Sequence, residues 1–205
     1  MSQEQTSPEE ADPTHRDRPL VTASGERLLS TRTLMTCAAI AVGASVFSIP
    51  VAWAEAAVGA SLPVLYAAMA GAWVFGSVLA QALLRQGGVA LVTAVLMGLI
   101  SAITTPLGWS TGAGFVLIGL LLELPFLCVR YRRWPTWLFL PGPLLVGFLF
   151  NALPLAFVLR AGALQPIAFA LVLTLPLVSC VLATVLAIVI ARRLRRAGLG
   201  PQQAP

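Results

Sequence analysis

Between Thr33 and Ala191 the chain carries only seven charged residues, five arginines and two glutamates, scattered among mainly apolar runs of about 17 to 26 residues. At 1.5 Å rise per residue, helices of this length match a bilayer core of about 30 Å, where each backbone N–H and C=O has to be bonded within its own segment. The chain should therefore fold as an all-α polytopic membrane protein. Its composition agrees: 58 % of the residues are hydrophobic, 10 % are charged and the mean hydropathy is +0.88, against about 25 % charged residues in a soluble domain.

The runs predict six transmembrane helices, over about 33–50, 62–84, 89–105, 112–129, 137–159 and 166–191. Residues 1–32 hold six acids and four arginines among Pro, Ser and Thr, and are expected to be a disordered cytoplasmic tail. Residues 192–205 open on Arg192, Arg193, Arg195 and Arg196 and form a basic tail. The thirteen basic residues are all arginine and sit at the ends of apolar runs, so they mark topology and not a nucleic-acid surface. Connections 2–3 and 4–5 and both termini are basic, whereas the opposite side has Arg160 alone. This predicts that both termini face the cytoplasm. Ala52-Trp53-Ala54 has the form of a signal-peptidase site, but the polar stretch ahead of the first run is much longer than a signal peptide's n-region. In the fifth run, Pro141-Gly142-Pro143 predicts a broken or interfacial start.

The catalytic vocabulary is thin. No P-loop, HExxH or GxSxG occurs, and the one histidine, His15, lies in the tail. Cys37, Cys128 and Cys180 fall in separate apolar runs, as packing residues do, and no metal or cofactor set emerges. The profile is that of a binding or permeation protein and not of an enzyme.

The leading site candidate is Glu123, because a carboxylate at membrane depth costs about 3 kcal/mol or more unless it faces a cavity or a partner. On a helix it shares or borders its face with Gly112, Gly119, Leu120, Phe126, Leu127 and Arg130. Trp53, Glu55 and Trp109 stand at the outer ends of their runs, where belt tryptophans and a solvated acid compete with a ligand role. Asn151 could line a cavity or glue helices together, and interhelical glue is the plainer reading of Gln81. Small residues recur every fourth position, in Ala39 and Gly43 and in Ala68, Ala72, Gly76 and Ala80. Such rows let helices approach closely, either within the bundle or against a partner helix.

The stretch LLRQGGVALVTAVLMGLISAITTPLGWSTGAGFVLIGLLLELPFLCVRYRRW resembles the YkoE-type family of substrate-specific (S) components of energy-coupling factor (ECF) transporters. Arg85, Gly88, Trp109, Glu123 and the run Arg130 to Trp134 carry the likeness, in order and spacing. The chain departs from the pattern at Gln86, where the resemblance implies Pro, and at Ile118, where it implies Gln. The resemblance implies a six-helix S component that captures thiamine or its hydroxymethylpyrimidine precursor, with a transmembrane T component and cytoplasmic ATPases as partners. Glu123 would then read the ring nitrogens, with Trp109 or Trp53 stacking on the ring or capping it. The alternative is a scaffold subunit that uses its small-residue faces and binds no ligand.

Overall fold

A computed structural model describes residues 30–58, 62–131, 134–152 and 166–198. The described residues are helical with no strand. In chain order they form α1 (Thr31–Val58), α2 (Pro63–Ala68), α3 (Gly71–Leu84), α4 (Val89–Thr104), α5 (Trp109–Cys128), a 3₁₀ turn (Thr136–Phe139), α6 (Pro141–Val146), a π-helical turn (Gly147–Ala152) and α7 (Pro166–Arg196). Four stretches are long and apolar enough to cross a membrane: Thr31–Val58, Val64–Leu84, Trp109–Cys128 and Leu173–Arg196. The two shorter apolar segments are Val89–Thr104 and Thr136–Phe150, which makes six in all, as the runs predict.

The first run does not stop at Pro50. The helix continues through it to Val58 and carries Glu55 down into the bundle, since the single backbone bond that an internal proline removes is tolerated where neighbouring helices enclose the segment. The second run is jointed, because Met69 and Ala70 form a turn between α2 and α3. Ser179 of α7 repairs that joint: its hydroxyl donates to the Ala68 carbonyl at 2.6 Å and accepts the Gly71 N–H at 3.0 Å. A Cβ on Gly71 would collide with the Ser179 backbone, so α3 and α7 can approach this closely only through a glycine. Replacing Ser179 by alanine strands one donor and one acceptor at a helix break. The expected cost is about 2 kcal/mol, read as a lower unfolding midpoint in detergent.

The fifth run is broken as expected. Its 3₁₀ turn, the short α6 and the π-helical turn follow the prolines that remove successive backbone donors. Packing elsewhere is set by small residues. Gly98 and Gly112 bring α4 and α5 to backbone contact, and Gly119 seats against Ala94 and Leu91. The main core joins Val74, Val78, Leu83, Leu122, Phe126, Phe139, Val146 and Ala187, drawn from α3, α5, the broken segment and α7. The face predicted for α5 holds for Gly112, Gly119 and Phe126, whereas Leu120 and Leu127 are exposed. Gln81 is buried, and its amide nitrogen has no partner among the described residues.

One end of the bundle collects every arginine of the described residues. The start of α1 meets the α3–α4 turn through the Thr33 hydroxyl, which donates to Gln86 Oε1 at 3.2 Å. The end of α7 meets the 3₁₀ turn through Arg192 and Thr136, 3.2 Å apart. Arg32, Arg85, Arg130, Arg192, Arg193, Arg195 and Arg196 all lie at this basic end.

Candidate functional site

Away from the arginines, the last turns of α1 converge with α2, the start of α3, the α4–α5 turn and the start of α5. They enclose a cavity of about 340 Å³ lined by Glu55, Ala56, Tyr66, Trp73, Leu107, Ser110, Thr111, Gly114, Ile118, Val146 and Phe150. This lies within the roughly 300–1,000 Å³ of small-ligand sites. Its walls are mostly apolar and aromatic, with a few polar groups at fixed positions.

Glu55 is the one charged group in that lining. The sequence leaves open a solvated acid at a helix end; instead the side chain is 7 % exposed, because α1 runs two turns further than its hydropathy suggests. Its Oε1 accepts the Trp73 indole N–H at 2.9 Å, which fixes the carboxylate's direction, and Oε2 has no hydrogen bond to the described residues. Trp73 is itself held from behind by Phe115, with ring centroids 5.1 Å apart. Thr111 is braced by Thr105, whose hydroxyls are 3.2 Å apart, and Thr105 donates in turn to the Ser101 carbonyl. A buried, aimed carboxylate beside an indole and a phenol can hold a ring cation or the amino group of a heteroaromatic.

Glu123 does something else. It is 3 % exposed and five residues beyond Ile118, roughly 7.5 Å further along α5 toward the basic end. Both of its oxygens are taken: Oε1 by the Ala90 N–H at 2.9 Å and Oε2 by the Tyr131 hydroxyl at 2.6 Å. The carboxylate thus closes the N-terminus of α4, where an anion also opposes the helix dipole. It is not among the residues that line the cavity, where the sequence reading expects a ligand contact. Burial, followed by the bond to Glu123, pushes the Tyr131 phenol well above its ordinary value, so it remains a proton donor at physiological pH. Arg85, Arg130 and Tyr131 all take positive φ, and the Tyr131 ring covers Gly87, where a Cβ would come within 3.1 Å. Among the described residues that carried the family likeness, Gly88, Glu123, Tyr131 and Trp134 therefore come together at the basic end.

The other expected residues divide. Trp53 is 55 % exposed with its indole N–H on the Thr104 carbonyl at 3.1 Å, and Trp109 is 77 % exposed at the start of α5. Both stand at the cavity's end of the bundle without lining it. Asn151 lies in the π-helical turn, and its side chain is outside the described residues. Ala39 and Gly43 lie on the exposed face of α1, and Ala72 is half-buried. Gly76 packs within the bundle against Ala44 and Met97, so it does not belong to a partner surface. Tyr66, Trp73 and Phe150 are cavity residues without a sequence signal, since aromatics in apolar runs are ordinarily core.

The family model of ABC-type cobalt transport system permease components matches residues 32–149, more than half of the chain. The chain belongs to that family. Its members are described as permease components of a transport system, and this one is a multi-pass cell-membrane protein. A comparison with curated proteins finds no match. Among solved structures, an S-component of an ECF transporter superposes with a TM-score of 0.70 at 20 % identity, over 83 % of this chain and 87 % of that one. This family member therefore has the fold of an ECF S-component.

Proposed function

We propose that this protein is the substrate-binding S component of an ECF-type importer and that its cavity captures thiamine, the hydroxymethylpyrimidine precursor or a closely related heteroaromatic. The observation that carries this reading is the buried Glu55 carboxylate, oriented by Trp73 and facing an aromatic-walled cavity of about 340 Å³. One carboxylate oxygen is left for an exocyclic amine or ring cation, while Trp73, Tyr66 and Phe150 supply flat surfaces for a ring. The cavity lies at the end without described arginines, which the positive-inside rule puts outside the cell.

The family's description names cobalt, and the donor set argues for an organic substrate instead. First-row divalent ions prefer imidazole, thiolate or several carboxylates. The cavity offers one carboxylate, one phenol and two hydroxyls, and the described residues contain no group of three or more His, Cys, Asp and Glu. Ile118 keeps part of the cavity wall apolar, which suits ring packing.

Energy would come from partners, since the sequence has no P-loop. A T component would dock on exposed helix surface, for which the small Ala39 and Gly43 on α1 are the best candidates, and ATPase subunits would complete the complex. Mass spectrometry of small molecules retained through gentle purification tests the reading, followed by calorimetry with thiamine and hydroxymethylpyrimidine. The expected result is saturable binding of one of them. Binding of cobalt with no affinity for either organic ligand would overturn it.

A further inference from the structure

Outside the cavity, the largest concentration of unused chemistry is at the basic end. α3 and α7 pack along their length, and Leu83 and Ala82 share one apolar cluster with Ala187, Ile188 and Ala191. That packing brings the last residue of one helix to the last turns of the other. Arg85, in a left-handed conformation that terminates α3, is thereby placed beside the last turns of α7, where Arg195 meets the positive charge of both Arg85 and Arg192. Arg195 is half-buried, and Arg192 is tied to the 3₁₀ turn through Thr136. The two carboxylates of the described residues are engaged elsewhere, Glu55 with Trp73 and Glu123 with Ala90 and Tyr131. Three guanidiniums are thus gathered from two helices at the limit of the apolar spans, with no carboxylate of the described residues among them.

The geometry points to a phosphate-binding site formed by Arg85, Arg192 and Arg195 on the cytoplasmic face, filled by the phosphodiester of an anionic phospholipid. Guanidinium presents a planar fork of donors that matches phosphate oxygens in pairs, which the ammonium of a lysine does not, and this chain uses arginine alone. The depth fits as well, because residues closing apolar spans stand at headgroup level, where basic clusters between helix ends meet anionic lipid. A bound phosphate would relieve the repulsion and tie α3, which carries Trp73, to α7.

The full chain in detergent is mixed with phosphatidylglycerol or phosphatidylcholine, and the retained lipid is counted by native mass spectrometry. Phosphatidylglycerol should be retained preferentially, and the Arg85→Gln/Arg195→Gln double variant should lower that retention by roughly 10- to 30-fold. Arg32→Gln, at the same end but outside the trio, should leave it unchanged. The Arg85→Lys/Arg195→Lys variant keeps both charges and should fall between, because it loses the fork. Millimolar inorganic phosphate separates the two sources of this chemistry: lipid that resists displacement marks a headgroup site, and lipid that is displaced marks a site for free phosphate. Equal retention of the two lipids by the unsubstituted chain overturns the proposal, whatever the variants do.

Discussion

Glu55→Gln should weaken binding of a cationic or amino-substituted heteroaromatic by about 10- to 100-fold, the range expected for losing one charge-assisted hydrogen bond in a desolvated site. The substitution is close to isosteric, and its amide oxygen can still accept the Trp73 indole N–H that Oε1 accepts at 2.9 Å. Helix packing around the cavity is thereby left intact, so the loss should appear in calorimetry without a change in unfolding midpoint. Trp73→Phe makes the complementary change. It keeps an aromatic wall against Phe115 but releases the carboxylate from its fixed direction, and should cost roughly tenfold. If Glu55→Gln bound the ligand as tightly as the unsubstituted protein, the cavity would lose its claim as the substrate site.

The opposite pattern is expected at Glu123. Glu123→Ala leaves the Ala90 N–H and the Tyr131 hydroxyl without their acceptor inside the bundle, and should destabilise the protein by about 3 kcal/mol. Glu123→Gln retains one acceptor oxygen and can offer its amide to the Tyr131 oxygen, so roughly 1 kcal/mol should be lost. Denaturation in mixed micelles, followed by tryptophan fluorescence, would report both. Ligand affinity of the folded Glu123→Gln protein should match that of the unsubstituted chain. A weakened affinity at unchanged stability would return Glu123 to the binding site.

These two glutamates show how far each kind of information reaches. Hydropathy counted the apolar segments, and Pro141-Gly142-Pro143 marked the break in the fifth but nothing marked the joint in the second, because bilayer thickness and the missing proline donor act on local sequence. The same local logic singled out Glu123, rightly as a costly group requiring compensation, but the compensation came from Tyr131 and from the end of another helix. For Glu55, at the end of its run, the sequence leaves a solvated acid and a ligand role both open, and only the continuation of α1 through Pro50 buries it. Gly76 reads the same on paper as Ala39 and Gly43, yet it faces Met97 while they face outward. A four-residue period fixes which residues share a helix face and leaves undetermined which neighbour that face meets.

Length, hydropathy and arginine placement, taken alone, determined that this chain is a helical membrane protein with six apolar segments and a basic end, since those properties follow from the solvent and need no knowledge of contacts. Which carboxylate lines the cavity and which closes a helix was decided by tertiary structure. That choice turns on whether an indole or a backbone N–H arrives within 3 Å, and Trp73 and Ala90 are brought there by helices whose packing no single run encodes.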